Sequence, residues 1–331
     1  MSNNGKLEIS DKLKKRFTKD MDVPIKVLRA PYFSYYLDLF DEFFNAKEKY
    51  NSCLRTLSQL GNEEVFFEES SAIINGVINQ IKQNNSYEKY TSADMSIYTN
   101  YPSLVSKTIY TPDNNQHLFI SLDLKHANFQ ALKYVDEELT LGAETYDQLL
   151  AKFTQLPYFI KSKQIRQVIF GHLNPKRQRT IQKKLVYDIY NYFISIFDFF
   201  SSSIATSSPD ELVIDVTNQV TDKSSYQGMF KEFEQSLASS QYNKQIHLNA
   251  FILHQLAPHK FYIKQNLWSN EPSFKPLSIK NTPIVFIPQI IKHIKGQEVK
   301  FEDLLFIYEK KLCKFVDPLK FDEDFSFNLI E

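Results

Sequence analysis

The stretch His117-Leu-Phe-Ile-Ser-Leu-Asp-Leu124 runs directly into Ala127-Asn-Phe-Gln-Ala-Leu-Lys-Tyr134. The first segment is a near-continuous apolar run of strand length, the pattern of a strand covered on both faces. The second switches to helical spacing. A strand covered on both sides lies inside a sheet, so a sheet is expected at the middle of the chain. Leu212-Val-Ile-Asp-Val216 is rich in β-branched residues and comes after turn chemistry at Ser207-Ser-Pro-Asp210. With Ser203-Ile-Ala-Thr206 before the turn, it reads as a hairpin. His247 to Leu256 and Lys260 to Leu267 are predicted as two further strands.

Helical patterns surround these strands. Pro31 opens a run with a broad apolar face that includes Phe33, Tyr36, Leu37 and Phe40, and Glu68 to Gln83 gives a second helix. Ser86 to Asn114, with Pro102 and Pro112, reads as an irregular connection with one short strand. Short helices are expected over Tyr146 to Phe153 and Ser162 to Leu173. Ile181, Leu185, Ile189, Phe193, Ile196 and Phe200 mark one face of a long helix. A polar helix over Tyr226 to Ser240 comes next, and Ile284 to Ile294 and Phe301 to Phe315 read as helical. The expected class is α+β, with a helical N-terminal region (1–110), a strand–helix–hairpin core (111–270) and a helical C-terminal region (271–331).

Composition narrows the function classes. The chain has 331 residues, 43% of them hydrophobic and 24% charged, which fits globular domains and excludes a disordered or collagen-like chain. Lys plus Arg and Asp plus Glu are both 39, so a uniformly basic nucleic-acid coat is excluded while a local basic patch is not. Cys53 and Cys313 are too few for a four-thiolate zinc site and read as reduced thiols. No glycines are spaced as in the dinucleotide or P-loop phosphate cradles. The histidines are scattered, with no H-E-x-x-H, and no G-x-S-x-G is present. Met1 to Lys19 is polar and basic, without the apolar core of a secretion signal. The most apolar stretch, Tyr190 to Ala205, is interrupted by Asn191, Asp198 and serines, so a buried amphipathic helix is expected rather than a membrane span. The expectation is an intracellular protein, in cytoplasm or nucleus, with no transmembrane segment and no membrane partner.

Two groups of residues could carry chemistry. Asp123 ends the apolar strand, and Asp210 and Glu211 sit at the hairpin turn. A charged group at the end of a buried strand must reach solvent, pair, or bind a cation. If the two strands are neighbours, these carboxylates converge as oxygen ligands suited to magnesium. The alternative is that Asp123 caps the following helix and that Ser208-Pro-Asp-Glu211 is a capping box. The second group is basic. Lys161, Lys163 and Arg166 precede Phe170, and Lys176-Arg-Gln-Arg179 and Lys183-Lys184 come after it, with no Asp or Glu between Lys161 and Lys184. Lys163, Arg166 and Phe170 share a helix face that could grip a triphosphate and stack on a base. The alternative is a solvated basic face.

The order of these features, acid on a strand, basic helix, acid pair on a hairpin, resembles the palm and fingers of the family A nucleic-acid polymerases. Ser121-Leu-Asp123-Leu-Lys-His-Ala-Asn128-Phe is similar to that family's first motif, whose aspartate binds both metal ions. Arg166-Gln-Val-Ile-Phe170-Gly-His-Leu-Asn174-Pro175 resembles the nucleotide-binding fingers helix, and Pro209-Asp210-Glu211-Leu-Val-Ile resembles the third motif. The likeness covers roughly residues 117–216. Pro209 stands where the family has histidine, and Asn128 stands where it has a glutamate that screens the sugar 2′ position. Ser162 replaces a cation, and Asn174-Pro175 replaces a tyrosine–glycine pair.

The resemblance implies a polymerase-like palm with a short antiparallel sheet and a basic fingers helix. It implies a template-directed nucleotidyltransferase acting on a primer–template and nucleoside triphosphates. In that reading Asp123 and Asp210 bind two Mg2+ ions roughly 3.5–4 Å apart, with Glu211 as a supporting acid. Lys163, Arg166, Phe170 and Asn128 bind the nucleotide, while Lys176, Arg177, Arg179 and Lys183 contact nucleic-acid phosphates. The rival expectations are a catalytically inactive palm that binds nucleic acid and a structural, partner-binding protein whose acids are caps. The oligomeric state is left open.

Overall fold

The structure, a computed structural model, describes residues 9–271 and 275–322. In chain order the helices are α1 (Asp11–Asp20), α2 (Tyr32–Phe44), α3 (Ala46–Leu60), α4 (Glu63–Lys82), α5 (Asn85–Ser92) and α6 (Ala127–Val135). They continue with α7 (Tyr146–Ala151), α8 (Pro157–Ile160), α9 (Lys163–Gly171), α10 (Pro175–Ile194), α11 (Lys223–Ala238) and α12 (Ile287–Ile294). The strands are β1 (Leu118–Leu124), β2 (Ile204–Ser207), β3 (Glu211–Asp215), β4 (Ile246–Leu256), β5 (Phe261–Ser269), β6 (Leu277–Lys280), β7 (Leu305–Tyr308) and β8 (Lys311–Lys314). The class is α+β, as the sequence implies. No helix among the described residues is long and apolar enough to cross a membrane.

The chain divides into two compact units, both assembled from segments far apart in sequence. The first comprises the described residues up to Gln80, Thr145–Leu173 and Pro283–Lys320; the second comprises Ile81–Glu144, Asn174–Thr282 and the last described residues.

The first unit is helical apart from one small sheet. The ring of Phe17 packs edge-on against Phe33 and Tyr50, and Phe66 packs against Tyr158 and Phe159. Cys53 is fully buried there, and burial pushes its thiol up to about 12. Such a thiol stays protonated and serves packing rather than reactivity. Phe301 to Phe315, expected as a helix, is instead a 3-10 turn at Glu302–Leu304 followed by the β7–β8 hairpin. Glu309 and Lys310 both take positive φ, 47° and 65°. Two positive φ values in a row give the turn whose twist matches paired strands, but Glu-Lys lacks the Asn or Gly that normally signals it.

The second unit carries the sheet, with strand order β2-β3-β1-β4-β5-β6 and every pair antiparallel. Period two divides its residues between two faces. Leu118, Ile120, Leu122 and Leu124 of β1 join Leu212, Ile214, Leu248 and Ala250 in a core with α10 and α11. The helices contribute Leu185, Ile189 and Phe193, and Tyr226, Phe230 and Phe233. Burying one such side chain contributes about 1.5–3 kcal/mol, so this layer anchors the sheet. The long helix stops at Ile194, but Phe197 and Phe200 stay in the same core, stacked against Phe233. On the opposite face Phe119, Val213, Phe251, Leu253 and Tyr262 pack beneath Ile109. The expectation of a strand covered on both sides is therefore met at Phe119 and Ile120. The stretch Ser86 to Asn114 is more ordered than expected. It forms α5 and two 3-10 turns, and no strand runs between those residues.

Candidate functional site

The apolar patch on the second face covers only one end of β1. At the other end the odd positions turn polar: Ser121, then Asp123. Antiparallel register sets Asp123 opposite Glu211, the first residue of β3. The Leu124 amide donates to the Asp210 carbonyl at 2.8 Å, which carries the pairing into the hairpin turn. Ser208 organises that turn. Its hydroxyl oxygen accepts from the Glu211 amide at 2.9 Å, and its O–H donates to the Asp210 carboxylate at 2.7 Å.

Neither acid site is a helix cap. The Ser208–Glu211 pattern makes half of a capping box, but it opens into the strand β3 rather than a helix. The helix after Asp123 begins behind His126, which takes φ 50° and caps nothing with its side chain. The structure therefore brings Asp123, Asp210 and Glu211 together at one edge of the sheet face. Their charges are felt: the Asp123 carboxyl is pushed up to about 7, first by burial, then by Glu211 and Asp210. Lys264 and Lys280 pull it partly back, and no hydrogen bond is among the main influences on it. A carboxylate held this way lowers its free energy by taking up a proton or a cation.

A cavity of about 300 Å³ opens beside Asp123 and Glu211, while Asp210 is exposed at the turn. Asn249, Lys264, Asn266, Glu271, Lys275, Ser278 and Lys280 also line the cavity. Lys264 is only 8% exposed. Its Nζ lies 3.5 Å from Glu211 Oε1 and 4.2 Å from the centre of the Phe251 ring, so charge pairing and the ring face offset its desolvation. Sequence reading passed over these residues. The signal was period two: on β4 Asn249 stands between Leu248 and Ala250, and on β5 Lys264 and Asn266 are two apart and share a face.

The α10 cations divide into two kinds. The Arg177 guanidinium donates to the backbone carbonyls of Tyr90 and Ala93 at 3.1 and 2.8 Å, which ties α10 to the end of α5. Lys176, Arg179 and Lys183 are exposed, at spacings that share a helix face. Arg179 and Lys183 line a cleft of about 380 Å³ with Thr180, Ser207, Ser208 and Pro209. That cleft therefore ends at the turn that carries Asp210. Asn128 lies on α6 and accepts from the Gln182 amide of α10 at 2.6 Å.

The remaining candidates, Lys163, Arg166 and Phe170, lie on α9 in the first unit. Lys163 pairs with Asp22 at 2.8 Å, and Arg166 sits over the Tyr146 ring at 5.7 Å. Phe170 is 1% exposed and packs beside Tyr146, so its ring is part of that unit's interior.

Among the described residues no group of three or more His, Cys, Asp or Glu forms a ready cation cage. The carboxylate oxygens present are the donor type that suits a hard cation. No family model, curated protein or solved structure matches the chain.

Proposed function

We propose that the chain is a template-directed nucleotidyltransferase whose reaction centre is the end of β1 and the β2–β3 turn. The observation that carries this reading is Asp123 in register with Glu211 and adjoining Asp210, its carboxyl raised to about 7 by burial and by its neighbours. Asp123 beside two further acids is retained at a cost, which fits a site that is neutralised when loaded. Magnesium held by Asp123 and Asp210, with Glu211 in support, would supply Lewis-acid stabilisation of a phosphoryl group. Magnesium commonly keeps only one or two protein carboxylates and takes the rest of its oxygens from phosphates and water. The donor set is compatible with that arrangement.

In the reaction, the 3′-oxygen of a primer forms a bond to the α-phosphorus while the bond from that phosphorus to the β-phosphate oxygen breaks. Pyrophosphate leaves and the hydroxyl proton passes to solvent. The cleft beside Asp210 supports the strand: Arg179 and Lys183 bind backbone phosphates, and the hydroxyls of Thr180 and Ser207 add neutral donors. The resemblance of residues 117–216 to the family A palm adds to this reading.

Primer extension tests it. Wild-type protein with magnesium and triphosphates is expected to lengthen a labelled primer on a DNA or RNA template. Asp123→Asn and Asp210→Asn should each lower the rate by about a thousandfold or more, equivalent to about 4 kcal/mol of transition-state stabilisation. Far-UV circular dichroism should stay unchanged. Extension that survives Asp123→Asn sinks the proposal. Salt-sensitive binding with no extension on any template leaves a nucleic-acid-binding palm in its place.

A further inference from the structure

We infer that the lysine-lined side of the sheet-face cavity, Lys264 and Lys280 with Asn266 and Ser278, is the binding site for the polyphosphate chain of a nucleoside triphosphate. The inference rests on the nucleotidyl-transfer reading and gives it a substrate anchor that the basic α9 helix was expected to provide.

Register puts these groups on one face. Lys264 of β5 stands opposite Ser278 of β6, and Tyr262 stands opposite Lys280, so both lysines and Asn266 project to the side of Asp123. The cavity carries both signs. Asp123, Glu211 and Glu271 line it together with Lys264, Lys275 and Lys280, with neutral Ser121 and Asn249 among them. Such a surface fits a ligand that is itself two-signed, a polyphosphate chelating a divalent cation. The cation faces the carboxylates and the phosphate oxygens face the ammonium groups. Lys264 lies 3.5 Å from Glu211 and both lysines line the same cavity as Asp123, so carboxylates and ammonium groups lie within one ligand's reach. The volume, about 300 Å³, is at the lower end for small-molecule sites and suits a triphosphate with its sugar, leaving the base outside.

The chemistry of Lys264 agrees. Lys264 is 8% exposed, and its partner Glu211 is 3.5 Å away, longer than a strong charge-assisted hydrogen bond. A phosphate oxygen offers that ammonium a closer partner and releases Glu211 toward the cation.

Binding of tripolyphosphate in magnesium to the full chain, followed by titration calorimetry, tests the site without requiring any transfer chemistry. Wild type is expected to bind. Lys264→Gln and Lys280→Gln should each weaken binding at least tenfold, and Lys163→Ala with Arg166→Ala should change it less than twofold. Circular dichroism checks the buried Lys264 variant; Lys280→Gln on the edge strand carries the test if that variant unfolds. No binding by wild type, or equal affinity in Lys280→Gln, overturns the inference. Loss only in the Lys163 and Arg166 variant moves the phosphate chain to α9. Tripolyphosphate binding that depends on Lys264 and Lys280, with no primer extension, keeps the site and removes the transfer reading. Extension with unchanged nucleotide KM in Lys280→Gln does the reverse.

Discussion

Each unit of the molecule draws an aspartate away from water, and the two are treated in opposite ways. Asp20 in the first unit is fully buried and surrounded by donors. Arg16 approaches both carboxylate oxygens at 2.9 and 3.0 Å, Tyr158 donates at 2.9 Å and Ser162 at 2.6 Å. Every donor is a neighbour in the fold, so the charge closes a joint between α1, α8 and the start of α9. Asp123 in the second unit stands opposite Glu211 on β3 and His247 on β4; burial raises its carboxyl first, and Glu211 and Asp210 add to it. A carboxylate that the protein satisfies with hydrogen-bond donors holds the fold together; one that is buried beside other acids gains from a proton or a cation.

The largest expected effect is at Asp20. Asp20→Ala leaves the Arg16 guanidinium without its buried partner and strips Tyr158 and Ser162 of an acceptor, so the loss should be about 3–5 kcal/mol in urea unfolding. Asp123→Asn should cost nothing at neutral pH. If Asp123→Asn is the more damaging of the two, the contrast collapses and Asp123 is structural.

The pH dependence sharpens the same contrast. Asp123 has a raised pKa in the folded chain, about 7 against the ordinary aspartate value of 3.8. The folded state therefore binds a proton that the unfolded state releases over that window. Stability from this group is present at low pH and is lost as pH rises through about 7. Glu211, Asp210, Lys264 and Lys280 are the charged groups acting on it. At pH 8 Asp123→Asn should be more stable than wild type by roughly 1–3 kcal/mol, allowing for solvent and lysine screening of the full shift. The gap should close as pH falls toward 4. Added magnesium or calcium should raise the Tm of wild type at pH 8 and leave Asp123→Asn unmoved. A gap that widens on acidification would break the argument.

A smaller version of the comparison lies within α10. Arg177→Ala removes the bonds to the Tyr90 and Ala93 carbonyls and should cost about 1–3 kcal/mol. Arg179→Ala with Lys183→Ala should stay within about 0.5 kcal/mol in stability. The same double change should flatten the slope of log K against log salt for a primer–template by about 1.4–1.8. Equal stability losses would show that all of these cations serve the fold. A slope that changes only with Arg177 would move the nucleic-acid contact to the other side of the helix.

The acidic edge was legible because it sits where periodicity fails: Asp123 ends an apolar run, and Asp210 and Glu211 occupy turn chemistry. Local sequence could not decide between a cap and a convergent site, since Ser208-Pro-Asp-Glu211 satisfies both patterns. Strand pairing decided it by making Glu211 a strand residue opposite Asp123. The lysine side was harder to see because Lys264 and Lys280 come from β5 and β6, 141 and 157 positions after Asp123, and only register relates them. The Phe301 to Phe315 error has the same origin. Apolar spacing there suits helix or hairpin, and two positive-φ residues without glycine tip it to the hairpin.

By itself the sequence determined the α+β class, the central strand, the hairpin and the two-sided apolar cover of β1, because these follow from side-chain period and turn chemistry over a few residues. Tertiary structure alone decided which cations face which charges. Arg177 turns to carbonyls, Arg179 and Lys183 remain exposed, Phe170 packs inside its own unit, and Lys264 reaches toward Glu211. The reason is physical. Period and propensity act between neighbours in the chain, whereas a charge responds to whatever is brought within a few ångströms of it, and strand register and helix packing set those distances.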